Sequence, residues 1–388
     1  MKKIKIGMLI HNPPFQGGIV QYCVLLVNSM KNYVDYDLVG FKKLYPPFLY
    51  KGKLPKENRS SIQFYKDSNN FITWYNPFSW IKAYNKLKGS DIIHLHWVSP
   101  LLTPLQYIIL ILNKNFSKKK IVLTCHNIEP HESTFLDKIF TKAIFSNIDC
   151  FIVHSEQSIS RLTKDYKISH NKVHFINHGT FDYFKNLRKK SKKDLRKEFG
   201  FKEDDKIILF FGYIRKYKGL IYLLKAMPEI IKKEPKAKLV IAGELWEKWN
   251  IYKDIIEKEN LSKFIKVFPN YILDKDVYKF FDLSDILVLP YHNTEQTISG
   301  PLLVGLAFNK PIIISNVGGI SEIVKNMDDA LLIESGNTDL LAKNVVKLLN
   351  DAKLQKKLEQ GAKEKDKSFN WDLVSKRTFS LYKTILRK

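Results

Sequence analysis

The sequence predicts an α/β protein with mainly parallel sheets, organised as two consecutive domains. Short β-rich runs alternate with stretches of helical period along the whole chain. The 388 residues suffice for two domains of ordinary size, each with its own core. A basic stretch at 185–197, of net charge +7, separates two series of such runs. In the first series, strands are expected at 4–10, 36–41, 91–97, 120–125, 150–154 and 172–176. In the second they are expected at 206–212, 237–242, 264–268, 286–290, 311–315 and 330–333. Helices fill the intervals. The stretch 219–232, for example, puts Leu220, Leu223, Leu224, Met227 and Ile231 on one face. The domains are expected at 1–184 and 185–370. A last helix, 371–388, carries Trp371, Val374, Thr378, Leu381 and Ile385 on one stripe and packs back on the first domain.

Composition narrows the class. Apolar residues make up 45% and charged residues 27%, a globular balance rather than a disordered one. Cys23, Cys125 and Cys150 form no C-x-x-C pair, so a disulfide framework is not expected and a reducing, cytoplasmic compartment is. The opening run MKKIKIGMLIHNPP is interrupted by Lys5 and Gly7 and reads as a buried strand, not a signal peptide. The apolar stretch 101–112 falls short of the ~20 residues that span a bilayer. The net charge is +25, from 57 Lys and only 7 Arg against 39 acids. An AT-rich genome accounts for much of that lysine. The functional reading is attraction to an anionic membrane surface or to anionic substrates. Scarce arginine and the lack of a recognised motif argue against nucleic acid.

In sheets of this kind ligands gather at the carboxyl ends of strands. Three such ends run through a glycine turn into a helix. Gly17-Gly18 follows the first strand, where backbone N–H groups can approach an anion. The pattern is not G-x-G-x-x-G, so a dinucleotide site is not indicated. In FFGYIRKYKGL, Gly212 ends a strand, and Arg215, Lys216 and Lys218 cluster before Gly219; these cations suit a phosphate or diphosphate. In TISGPLLVGLAFNKP, Thr297, Ser299 and Gly300 precede Pro301, a capped helix start that favours an anion. His94 and His96 share a strand face, with His126 and His131 further on. The acids and the H-E-x-x-H spacing of a metal site are missing, so no metal is expected. His126 stands at the end of the strand IVLTC, where a ligand-reaching residue belongs.

The ordered set of motifs resembles the retaining glycosyltransferases of family 4. It comprises Gly17-Gly18, HLHW (94–97), HNIEPHE (126–132), GYIRKYKG (212–219), AGE (242–244), PNYI (269–272), DILVLPY (285–291), SGPLL (299–303), KPIIISNVGGISEIV (310–324) and FNW (369–371). The resemblance spans nearly the whole chain. It implies the GT-B fold, two facing Rossmann-like domains with a C-terminal crossover helix. The first domain then takes the acceptor and the second the nucleotide-sugar donor. It further implies that Arg215 and Lys218 bind the donor diphosphate, that His126 stands at the reaction centre, and that Gly17, Gly18, Gly212, Glu244, Tyr271, Ile272, Gln296, Thr297, Ser299, Gly300 and Pro301 contact the donor. Many members carry two glutamates separated by seven residues. Here those positions are Gln296 and Val304, and valine cannot hold a ribose hydroxyl.

The implied reaction moves a sugar from a nucleoside-diphosphate sugar to a saccharide or lipid-linked acceptor with retention, in cell-surface polysaccharide or glycolipid synthesis. It needs no metal or other cofactor, because fixed cations and helix-start N–H groups stabilise the departing diphosphate. Peripheral association with the inner membrane face is expected. Two alternatives stand beside it: a non-catalytic module that binds nucleotide-sugar or saccharide, and a sugar-nucleotide epimerase.

Overall fold

The structure, a computed structural model, describes residues 3–46, 62–128, 135–292 and 298–387. It divides into two units, Met1–Gly179 with Phe369–Lys388, and Thr180–Ser368.

The first unit runs β1 (Ile4–Leu9), α1 (Gly18–Ser29), β2 (Val34–Lys43), β3 (Asn69–Thr73), α2 (Pro77–Leu87), β4 (Ile92–Trp97), α3 (Thr103–Leu112), β5 (Lys120–Cys125), α4 (Phe135–Phe145), β6 (Cys150–Val153), α5 (Glu156–Lys164) and β7 (Val173–Phe175). Among the described residues its strands form one parallel sheet in the order β3-β2-β1-β4-β5-β6-β7. The strands read as near-continuous apolar runs because helices cover both faces. Each strand expected in the first series is present. The edge strand β3 is additional, and its polar start, Asn69-Asn70, hides it from pattern reading.

The second unit runs α6 (Lys192–Glu198), β8 (Lys206–Phe211), α7 (Leu220–Lys233), β9 (Ala237–Ala242), α8 (Asn250–Lys258), β10 (Ile265–Phe268), α9 (Asp274–Leu283), β11 (Ile286–Leu289), α10 (Gly300–Ala307), β12 (Ile312–Ser315), α11 (Ile320–Ile323), β13 (Leu331–Ile333), α12 (Thr338–Asn350) and α13 (Ala352–Ser368). Its parallel sheet has the order β10-β9-β8-β11-β12-β13. The last helix, α14 (Trp371–Arg387), belongs to the first unit and packs on α1.

The division falls at Gly179/Thr180 and Ser368/Phe369, slightly before the expected 184/185 and 370/371. The reason is a 3-10 turn, Asp182–Leu187, that packs on α9 and α10. Thr180 Oγ1 donates to Asp366 of α13 at 2.5 Å, and Lys185 Nζ pairs with the same carboxylate at 3.1 Å. The basic stretch 185–197 is likewise tied down. Arg188 forks onto Asp282 at 2.6 and 2.7 Å, and Lys192 and Arg196 share Asp285.

Candidate functional site

Strand order places both candidate regions. In each sheet the order reverses beside the first strand of the unit, between β1 and β4 and between β8 and β11. Ligand crevices open at the carboxyl ends of strands flanking such a reversal. Gly17-Gly18 follows β1. Arg215 and Lys218 follow β8, and Ser299 and Gly300 follow β11.

In the second unit these last two segments meet. Gly212, at φ 112°, lies so close to α10 that a Cβ there would stand 2.8 Å from Pro301 Cγ. Lys218 is buried, and its Nζ donates to Tyr291 Oη at 3.1 Å. Tyr291 Oη shares a 2.6 Å hydrogen bond with Ser299 Oγ, which in turn caps α10 by accepting from Leu302 N–H at 3.2 Å. One buried polar chain thus joins the turn after β8 to the start of α10. Burial lowers the Lys218 pKa to about 7, and the Arg215 charge adds to that.

Arg215 is held by stacking. Its guanidinium carbon lies 3.9 Å from the Trp246 ring centroid, and its Nε is buried with no hydrogen-bond partner among the described residues. A buried guanidinium donor without an acceptor is costly unless a ligand completes it. Trp246 Nε1 donates to Glu244 Oε2 at 3.3 Å, after β9. Tyr213 packs on Trp246, and its ring centroid is 6.3 Å from that of Tyr271, in the loop after β10. Ile272 follows, half-buried. The sequence-predicted residues Gly212, Arg215, Lys218, Glu244, Tyr271, Ser299, Gly300 and Pro301 therefore gather at the carboxyl edge of one sheet. Gln296 and Thr297 lie outside the described residues, as does His131. Val304 is buried inside α10.

In the first unit the carboxyl edge carries a row of histidines. His11, His96, His126, His154 and His178 stand at the ends of β1, β4, β5, β6 and β7, five neighbouring strands. Tyr22, on the helix that Gly17-Gly18 opens, touches four of them, with ring centroids 4.8 Å from His126 and His178, 5.3 Å from His154 and 5.9 Å from His96. His126 Nε2 and His96 Nδ1 are hydrogen-bonded at 3.1 Å, and His126 N–H donates to Trp97 C=O at 3.0 Å. Burial is the first cause that holds all five imidazoles below their ordinary pKa, His11 and His154 at about 4 and His178 at about 3. The row is neutral at pH 7, a set of hydrogen-bonding groups without charge. His94, two residues before His96 on the same strand face, stacks on its ring at 5.0 Å between centroids and is bonded to Tyr382 at 2.5 Å and Thr124 at 2.7 Å. Among the described residues no group of His, Cys, Asp or Glu is arranged to hold a metal ion.

Sequence pattern alone does not mark Tyr22, Trp246 and Tyr291 as members of these clusters. Tyr291 ends the quoted run DILVLPY and Trp246 follows AGE, so position after a strand was the available signal.

Two doubly wound units, each with polar groups collected at its switch point, have the α/β architecture of the GT-B fold. Solved structures agree. A glycosyltransferase from Rickettsia africae matches over 100% of both chains with TM-score 0.75 and 18% identity. HepE from Anabaena, solved in complex with UDP, matches over 98% of this chain and 100% of its own with TM-score 0.77 and 14% identity. The family described as Glycosyltransferase Family 4 matches residues 17–180, and that described as Glycosyl transferases group 1 matches residues 191–365. The chain belongs to these glycosyltransferases. Among its relatives is the uncharacterized glycosyltransferase MJ1178 of Methanocaldococcus jannaschii, 25% identical over 92% of both chains. MJ1607 of the same organism is 30% identical over 54% of this chain, which spans 52% of that protein. The capsular polysaccharide biosynthesis glycosyltransferase CapM of Staphylococcus aureus is 26% identical over 48% of each.

Proposed function

We propose that this glycosyltransferase is a retaining, metal-independent enzyme. It moves a sugar from a nucleoside-diphosphate sugar to a saccharide or lipid-linked acceptor, in the synthesis of a cell-surface polysaccharide or glycolipid on the inner face of an anionic membrane. The carrying observation is the buried chain Lys218–Tyr291–Ser299 beside the Nε of Arg215, which has no partner among the described residues. It sets two cations and a helix start at one switch point, where a diphosphate is the fitting ligand. HepE in complex with UDP and the capsular relative CapM support the donor and the pathway class.

As the anomeric bond breaks, negative charge grows on the leaving diphosphate while the sugar gains oxocarbenium character. Arg215, Lys218 and the first N–H groups of α10 meet that charge already oriented, so no reorganisation is needed. The acceptor attacks from the face the phosphate leaves, and the departing phosphate oxygen takes the acceptor proton. Neutral His126 holds a sugar hydroxyl by hydrogen bonding without opposing the cationic sugar carbon. The test is donor-dependent transfer to a panel of acceptors by wild type, Arg215→Ala and Lys218→Ala. Losing such a preorganised donor costs on the order of 100-fold or more in turnover. An unchanged double variant overturns these roles. Donor converted to an isomer without acceptor means epimerisation, and tight donor binding without turnover means a binding module.

A further inference from the structure

The exposed apolar side chains of the first unit are concentrated. Among the described residues sixteen large hydrophobic side chains are exposed, and ten of them fall between Trp74 and Phe140. Scattered singly they would need no explanation, but a contiguous apolar face marks an interaction surface. Packing sets the helices that carry most of them side by side. Trp80 and Leu87 of α2, Ile109 of α3 and Phe145 of α4 lie in one core cluster, and α3 packs against both α2 and α4. Helices that share an inner core share an outer side. On that side stand Phe78 and Ile81 of α2, Tyr107 and Ile111 of α3, and Ile139 and Phe140 of α4. The spacings i,i+3 and i,i+4 keep each of the first two pairs on one helix face. Phe78 is 81% exposed, and Phe116, in the turn Asn113–Ser117 after α3, is 75% exposed.

Charge decides what covers this face. Residues 74–88, 99–120 and 135–145 hold nine lysines against one acid, Asp137 of α4, and no Glu or Arg. Protein–protein interfaces are depleted in lysine and enriched in arginine. Lysines beside aromatic and aliphatic side chains suit a lipid surface, where ammonium groups reach phosphates while apolar tips enter the acyl boundary. We propose that the outer faces of α2, α3 and α4 form the surface by which this protein sits on an anionic phospholipid bilayer. The proposal gives the lipid-linked acceptor reading a physical address. It rests on that reading for its purpose only, since docking is measured without sugar transfer.

The test is co-sedimentation with vesicles of phosphatidylcholine alone and of phosphatidylcholine and phosphatidylglycerol in equal parts, at low and raised salt. Wild type is expected to sediment with the mixed vesicles and to be released by salt. Lys86→Gln with Lys114→Gln should weaken the partition roughly fivefold per lysine. Phe78→Ser with Tyr107→Ser should weaken it about tenfold or more, because both rings leave the acyl boundary. All four side chains are exposed, so the variants should melt as wild type does. No preference for the mixed vesicles overturns the proposal, as does a Phe78→Ser/Tyr107→Ser variant that binds as wild type. A wild-type dimer that this variant renders monomeric also overturns it, by showing that a second copy covers the face. Vesicle binding without transfer to any acceptor overturns the enzymatic reading and leaves the surface. Transfer without vesicle binding does the reverse.

Discussion

Lys218 is a buried amine held close to neutrality. Its pKa is lowered to about 7, first by burial and then by Arg215. Tyr291 Oη, its acceptor at 3.1 Å, is a neutral partner that does not restore the charge. A bound diphosphate reverses the balance, because an anion beside the ammonium favours the protonated form. Binding at pH 8 is therefore expected to take up a proton. Affinity for UDP or GDP, whichever stabilises the protein, should fall as pH rises above about 7 and as less Lys218 is protonated in the free protein. Calorimetry at pH 8 in buffers of different ionisation enthalpy reads that uptake directly. Lys218→Met should abolish it, and uptake that persists in the variant would assign the proton elsewhere. The stability sign is fixed by the same shift. The unfolded chain binds this proton up to the ordinary lysine range near 10.5, so the buried site costs stability below pH 7. That cost is relieved as pH climbs toward 10.5.

At the scale of elements, the turn from β8 into α7 is governed by one glycine. Gly219 has φ 70°, and a Cβ there would stand 1.7 Å from the Pro290 carbonyl oxygen. The close approach is what brings the segment bearing Lys218 against the end of β11. Gly219→Ala is strained by conformation and by contact, and should destabilise the second unit by about 2 kcal/mol or more. Urea unfolding followed by fluorescence checks this; a change within a few tenths of a kcal/mol would mean that the turn can open. The sequence showed this turn and every strand of the two central series, because buried parallel strands are apolar runs and glycine turns punctuate them. It did not show β3, whose polar edge carries no such run. Nor did it show the Tyr291 link from Lys218 to Ser299 or the histidine row. Their members lie far apart in sequence and meet only when strand order is known. The junction at Thr180 was hidden for the same reason, since Asp366 anchors it from the far end of the unit.

The chain as a whole leaves the first unit at Gly179 and returns to it at Phe369, so the first unit's core is completed by a segment far from the rest of it in sequence. The dependence is specific. Trp371 lies 5.3 Å from Tyr22 and 5.9 Å from His178, ring to ring, and a Cβ on Gly179 would collide with its indole. Tyr382, fully buried, closes the hydrogen-bond chain of His94. Ending the chain at Ser368 would expose Tyr22 and leave His94 Nδ1 without its partner, inside a sheet where an unmet polar group costs on the order of 1–3 kcal/mol. The second unit loses nothing of its own, because Thr180–Ser368 contains its sheet together with Arg215, Lys218 and α10, the cradle proposed for the diphosphate. The truncated protein is therefore expected to lose amide-exchange protection in α1, β1 and β4 while β8, β9 and β11 keep theirs. Thermal stabilisation by a nucleoside diphosphate should survive in the second unit while sugar transfer is lost. Equal loss of protection across both sheets would show that the two units fold as one and that α14 serves both.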